Sequence, residues 1–462
     1  MNTVIKYVSF VKAAVPYRFI CLFAGCLSAA VAGYSQKPDT TNYPSSMTLR
    51  DCIDFALKHQ PILNQSLINV AITRTTNAIN LSGWYPQVGV AGTLTHYLQL
   101  PTAFVKNSST GVVTTQKTGV TNTAIPSLSV SQTIFNPSLL YASRSADLYV
   151  KQAEQITDST KIFLVSVVSK TFYNLLLTLA QIDVLKEDTA RLAKNQSDTY
   201  HQYIGGIVDE TDYDEATISL TNSRIQLKQA TESVLPQYAV LKQVMGYPAE
   251  RNFNVSFDTL QMRTDIAFDT TLQLQYEKRI EFQQLQTAKS LQHQLTTYYR
   301  NAFLPTVSAF FNYNYEYQNN TFSSLFSNVY PYSYVGLSLS LPVFTGFART
   351  SNIKKSRLQE QLLDWSEVSL KSEIYSEYTS AIANYKSNLY NLDALQDNVA
   401  KAKRVYGIVT LQYQQGVVAY LNVITAESNL ITSEIGYYNA LFQLLSSKID
   451  LEKSMGYITV NR

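Results

Sequence analysis

Two short stretches decide the fold: Tyr203-Ile204-Gly205-Gly206-Ile207-Val208 and Tyr413-Gln414-Gln415-Gly416-Val417-Val418, which lie 210 positions apart (413 − 203). The same shift, without a gap, sets Ala216 beside Ala426, Leu220 beside Leu430, Ser223 beside Ser433 and Ile225 beside Ile435. It continues through Ala230 and Ala440, Leu235 and Leu445, Leu241 and Leu451, and closes on Met245-Gly246-Tyr247 against Met455-Gly456-Tyr457. So long an ungapped register implies two copies of one structural unit.

Outward from each turn the pattern is helical. No Pro or Gly interrupts the chain from Pro137 to Ile204, and Phe172, Leu175, Leu179 and Ile182 recur in threes and fours. Asn136-Pro137 suits a helix start, because Asn caps free amides and Pro is tolerated at the first helical position. Before the second turn, Leu389, Leu392, Leu395, Val399, Ala402 and Val405 keep the same spacing. A helix of that span measures roughly 100 Å and must lie beside similar helices, as in a coiled coil.

Further out the period changes to two. Val88, Val90, Leu94 and Leu98 share one face while Gln87, Thr93 and Thr95 share the other, and Leu128, Val130 and Ile134 alternate with serines and a threonine. Between these strands, 106–123 reads as a polar loop. In the second copy Val307, Ala309, Phe311, Tyr313, Tyr315 and Tyr317 alternate, then Val335, Leu337, Leu339, Leu341 and Val343. Strands of about nine to thirteen residues with one apolar face are the length a tilted membrane barrel strand needs. No segment after residue 32 approaches 18 continuous apolar residues, so helical spanning is not expected. Four strands cannot close a barrel, and open edges in lipid leave amides unpaired, so the chain is expected to oligomerise.

The layout is therefore a signal peptide at 1–32, an exposed leader at 33–47, a first unit at 48–247, a linker at 248–271, a second unit at 272–457 and a tail at 458–462. The first unit holds a helix ending near Gly83, a hairpin over 86–135, the long helix 137–204, the turn and a return helix. The second holds a helix from about Leu272, a hairpin over 305–344, the long helix 347–413, the turn and a final helix. Lys6, Lys12 and Arg18 precede the apolar run Phe19–Ala32, the charge order of a secretory signal, with cleavage expected before Gly33. Acylation at Cys26 is the alternative. Losing the signal removes three of 37 basic residues, leaving 34 against 34 acids, so nothing points to nucleic acid. Cys52 then stands alone, without a disulfide framework.

These features together resemble the TolC-type outer-membrane efflux protein family over essentially the whole chain after the signal. The resemblance rests on Leu49-Arg50-Asp51-Cys52-Ile53-Asp54-Phe55-Ala56-Leu57, the strands opened at Pro86 and Pro305, Ser131–Phe135 and Leu341–Phe344 at the strand-to-helix junctions, and the doubled turns. It implies a mainly α fold with a transmembrane β-barrel portion: a homotrimer sharing twelve strands in outer-membrane lipid, continued by an α-helical periplasmic tunnel. It further implies a channel of a tripartite efflux or type I secretion system, working with a periplasmic adaptor and an inner-membrane efflux pump or secretion ATPase. No cofactor or metal is implied, and His59, His96, His201 and His293 are scattered, so no enzyme is expected. A secreted coiled-coil scaffold or adhesin is the reading from another class.

The candidate site is the acidic run Asp209, Glu210, Asp212, Asp214 and Glu215 just past the first turn. In the family an aspartate commonly lies six positions after the turn glycine; Asp212 matches it, whereas the second copy has Asn422, with Thr425 three further on. Two compatible readings stand for the acids: rings at a constriction that favour cations, or charges that suit a helix amino terminus. Tyr203, Gly206, Val208, Tyr413, Gly416 and Val418 occupy the tips where the family meets its adaptor, although the glycines also serve the turn itself and the other four suit a helix seam.

Overall fold

The computed structural model describes residues 44–106, 111–256 and 266–458. The signal peptide, most of the leader and the last four residues lie outside these.

The long uninterrupted stretches form long helices. After a two-residue strand β1 (Ser46–Met47) come α1 (Leu49–His59) and α2 (Pro61–Leu81), then β2 (Gln87–His96), β3 (Thr102–Lys106), β4 (Val113–Lys117) and β5 (Asn122–Phe135). Helix α3 (Pro137–Ile204) runs to the first turn and α4 (Glu210–Met245) returns, followed by β6 (Asn254–Val255). The second half repeats the order: α5 (Ile280–Asn301), β7 (Thr306–Asn319), β8 (Val329–Ser340), α6 (Ala348–Gln414) and α7 (Tyr420–Ser454). Asn136 caps α3 by accepting the Ser138 amide at 2.8 Å, with Pro137 in the first helical position.

Four strands make one antiparallel sheet in the order β2-β5-β7-β8. Register carries one apolar stripe across it, through Val90, Leu128, Tyr313 and Ser333, and through Val88, Val130, Phe311 and Val335. Its opposite face carries Gly89, Ser129, Asn312 and Tyr334. Most of the apolar stripe is open: Val90 is 81% exposed, Val335 78% and Leu337 73%. The ladder between β5 and β7 skips Ile125 and Pro126, where proline has no amide to donate. The outer edges of β2 and β8 pair with nothing among the described residues.

Helix α3 forms the spine of the helical part, packing against α1, α2, α4, α5 and α7. Its Leu164, Val168, Phe172, Leu175, Leu176 and Leu185 are buried. Helix α6 differs, burying five residues over 67 and exposing Leu358, Leu362, Trp365, Tyr390 and Ile408.

Several sequence expectations change. One first helix becomes two, because Gln60 is extended ahead of Pro61, as residues preceding proline prefer. The 106–123 loop is partly a ribbon, β3 paired with β4. The leader is not wholly exposed: Met47 is 1% exposed and β1 pairs in parallel with β6 inside the linker. Ile266 and Phe268, also in the linker, pack on the core that Tyr385 and Leu444 form between α6 and α7. Helix α5 begins at Ile280 rather than near Leu272. Extended Arg279, buried, donates there to the Ser454 carbonyl at 2.8 Å and pairs with Glu377 at 2.7 Å. Strand β8 stops at Ser340, short of Val343. Finally, α3 is long and apolar enough to cross a membrane by length and composition, but half of its most apolar window is buried against the other helices.

Candidate functional site

Both turns close with the same backbone bonds. Gly206 N donates to Tyr203 O at 3.0 Å and Ile207 N to Gln202 O at 2.8 Å; Gly416 N donates to Tyr413 O at 2.9 Å and Val417 N to Gln412 O at 2.9 Å. These bonds require a left-handed residue, and Gly206 (φ 69°) and Gly416 (φ 72°) supply it. A Cβ at either position would meet nothing within 4 Å, so the glycine is needed for conformation rather than for space.

The tip aromatics hold the helices together. Tyr203 stacks on Tyr213 with centroids 6.1 Å apart, and Tyr413 meets Tyr420 at 5.3 Å. Tyr413 Oη donates to Gln202 Oε1 at 2.7 Å, tying one tip to the other. Val208 and Val418 are half-buried, while Gly206 and Gly416 are exposed.

The acidic residues separate by position. Asp209, Glu210, Asp214 and Glu215 are exposed and Asp212 is half-buried. Glu210 and Asp212 occupy the first turn of α4, where the helix dipole favours negative charge. Among the described residues none of the five has a basic partner within 4.0 Å. Burial raises the Tyr413 hydroxyl above its ordinary range, and the Asp212 charge acts in the same direction. Asn422 and Thr425 are exposed, and Thr425 turns its hydroxyl back onto the Leu421 carbonyl at 2.8 Å.

Sequence reasoning missed a second group, deeper between α3, α4 and α7. Asp188 (1% exposed) accepts from Ser223 Oγ at 2.6 Å and lies 3.5 Å from Arg191. Glu427 (2% exposed) accepts from Asn195 Nδ2 at 3.3 Å, and its other oxygen stands 3.6 Å from Arg191 Nε. One guanidinium thus lies beside two buried carboxylates, and the carboxylates line a groove of about 570 Å³. Burial, and then the Asp188 charge, push the Glu427 carboxyl up to about 7 against the pull of Arg191. Burial also raises Asp188. The signal was present: Asp188 falls between Leu185 and Leu192, and Glu427 between Val423 and Leu430, where the helical spacing calls for apolar residues.

No cluster of three or more His, Cys, Asp or Glu that could hold a metal occurs among the described residues. Solved structures share this fold. Similar solved structures are CusC, a protein that undergoes transmembrane channel formation (16% identity, 92% of this chain and 95% of that one, TM-score 0.73), and the outer membrane protein VceC of Vibrio cholerae (15%, 88% and 96%, 0.69). The open-state outer membrane channel MtrE of Neisseria gonorrhoeae is a third (17%, 88% and 88%, 0.70). No curated protein sequence matches. The family model described as outer membrane efflux protein matches residues 52–247 and 277–457. Spanning both helical hairpins and the whole sheet, that match shows that the chain belongs to the outer membrane efflux protein family.

Proposed function

We propose that three copies of this chain form an outer-membrane exit duct, which passively conducts substrates delivered by a periplasmic adaptor and an inner-membrane efflux pump or secretion ATPase. The observation that carries this reading is the four-stranded sheet with one open apolar face and two edges that pair with nothing among the described residues. In lipid such edges cost several kcal/mol for each unpaired group, and three sheets closing edge to edge remove them. The exposed apolar residues of α6 add support, since a long unpartnered stripe on a monomer marks an interface.

In the trimer the helices continue as a periplasmic tunnel that narrows at the two turns. Asp212 and Glu215, each present three times, line the narrow end with Asp209, Glu210 and Asp214 around them, while the second tip contributes neutral Asn422 and Thr425. A ring of carboxylates favours cations. The adaptor meets the tips at Tyr203, Gly206, Val208, Tyr413, Gly416 and Val418. Energy coupling belongs to the pump.

The test is the native mass of the mature protein extracted from outer membranes in mild detergent, followed by conductance in a planar bilayer. A trimer with cation-selective conductance is expected. A monomer at all concentrations would leave the scaffold reading in its place.

A further inference from the structure

The two unpaired edges carry more than the expectation that they meet: the sequence and the observed ladders fix how they meet. This inference rests on the trimeric reading above.

The hairpins correspond by fixed offsets. Their first strands open at Pro86 and Pro305, an offset of 219 (305 − 86), and Phe135 and Phe344 mark their strand-to-helix junctions, an offset of 209 (344 − 135). Applied to the pair Gln87 and Ser131 between β2 and β5, these offsets give Thr306 and Ser340, which is the pair found between β7 and β8. Applied to His96 and Asn122 they give Tyr315 and Pro331, again the pair found. Loops of very different make-up therefore leave one register in both hairpins.

The β5–β7 seam joins the second strand of one hairpin to the first strand of the next. Strand direction alternates across the sheet, so β8 of one protomer and β2 of the next form the same kind of antiparallel seam. We propose that the seam between protomers repeats the β5–β7 register. Leu337, Ser338, Ser340 and Leu341 of one protomer then lie opposite Leu94, Thr93, Ala91 and Val90 of the next. They correspond to the observed pairs of Leu128, Ser129, Ser131 and Gln132 with Tyr313, Asn312, Phe310 and Ala309.

Two features of the free protomer fit this register. Leu337 and Leu341, 73% and 51% exposed, come opposite Leu94 and Val90, 60% and 81% exposed, on the apolar face, while Ser338 meets Thr93 on the polar one. A slip of one residue would put each on the wrong side. In addition, Leu341–Phe344 belong to no strand in the protomer and Val343 is 90% exposed, whereas their counterparts Gln132, Thr133 and Phe135 pair with β7. The arriving β2 supplies the missing partner, and β8 lengthens through Phe344 on assembly.

Cysteine cross-linking of the full chain reads the register. Directly opposite residues have Cα atoms about 4.5–5.5 Å apart, within disulfide reach, while pairs displaced by two lie about 7–8 Å apart. Within one protomer β2 and β8 are three strand spacings apart, roughly 14 Å, so a link between them joins two chains. Ser338→Cys with Thr93→Cys is expected to give covalent trimers on oxidation, several-fold more than Ser338→Cys combined with Ala91→Cys or with Thr95→Cys. A displaced pair that links best would overturn the register and leave the trimer intact. No link from any pair in a preparation of trimeric native mass would overturn the seam itself, and a monomeric native mass would remove the trimer on which it rests.

Discussion

The two tips share a backbone and differ in where they keep their acids. Both close on a left-handed glycine with matched hydrogen bonds. Past the first turn, position 210 is an exposed glutamate and position 217 a threonine; past the second, the matching positions are Tyr420 and Glu427, both buried. One tip presents carboxylates to solvent, and the other sinks a carboxylate into the junction with α3. The turn is thus a fixed device, while the layer of side chains around it is free to diverge, so a repeat in the backbone says little about electrostatics. Substitutions at matched positions should separate the two.

Arginine 191 should show the largest difference. Replacing Arg191 with Ala leaves Asp188 and Glu427 buried without their shared cation, which costs about 3–5 kcal/mol when a buried pair is broken; one quarter of the Arg191 side chain is exposed, so the lower end is expected. At the matching position, Lys401 is exposed, and Lys401→Ala should stay within about 0.5 kcal/mol. Thermal unfolding followed by circular dichroism compares them. Equal melting temperatures would remove the buried cluster as a stabilising junction.

Glutamate 427 should then give stability a pH dependence. Its carboxyl titrates near 7 when folded, above the 4.5 of a free glutamate. Below 4.5 it is neutral in both states. Between 4.5 and 7 the unfolded state ionises first, so stability falls as pH rises across that window and levels above it, by at most about 3 kcal/mol. Asp188 acts in the same direction. Glu427→Gln should flatten the slope of melting temperature between pH 5 and pH 8.

The glycines should behave alike at both tips. Gly206→Ala and Gly416→Ala each force a side chain into the left-handed region at a cost of about 1 kcal/mol, with no clash to add. Gly246→Ala, at the end of α4, should cost more, because its Cβ would come within 2.9 Å of the His59 carbonyl. Equal losses at all three would mean that the packing around Gly246 yields.

What the sequence made legible follows from the same physics. Helix α3 could be bounded because Asn136-Pro137 starts it and Gly205-Gly206 stops it, with neither breaker between. The strands showed through strict alternation. The start of helix α5 is not legible in the sequence, because Arg279 is held extended by Glu377 and the Ser454 carbonyl, partners 98 and 175 residues away. At the end of β8 the alternation runs on to Val343, although pairing with β7 stops at Ser340. At the site, the exposed acids could be read from proximity to the turn. The Asp188–Arg191–Glu427 group could not be assembled in advance, since it joins helices more than 200 positions apart, and only its acids at apolar positions betrayed it.

The smallest effect on stability should accompany the clearest effect on conduction. Asp212 and Glu215 lack basic partners among the described residues, so Asp212→Asn with Glu215→Gln should move stability by less than about 0.5 kcal/mol, the dipole contribution being screened at the surface. Cation selectivity, read as the reversal potential in a salt gradient, should fall, because two charges per chain, about six in all, would leave the narrow end of the proposed threefold tunnel. Asn422→Asp is the sharper variant, since it gives the second tip the acid that its turn register assigns to the first. If the tips differ only in side chains, this change should raise cation selectivity and partly restore it in the Asp212→Asn background. An unchanged reversal potential in both variants would mean that these positions do not face the conducting path, and the acids of the first tip would then act only on the start of α4.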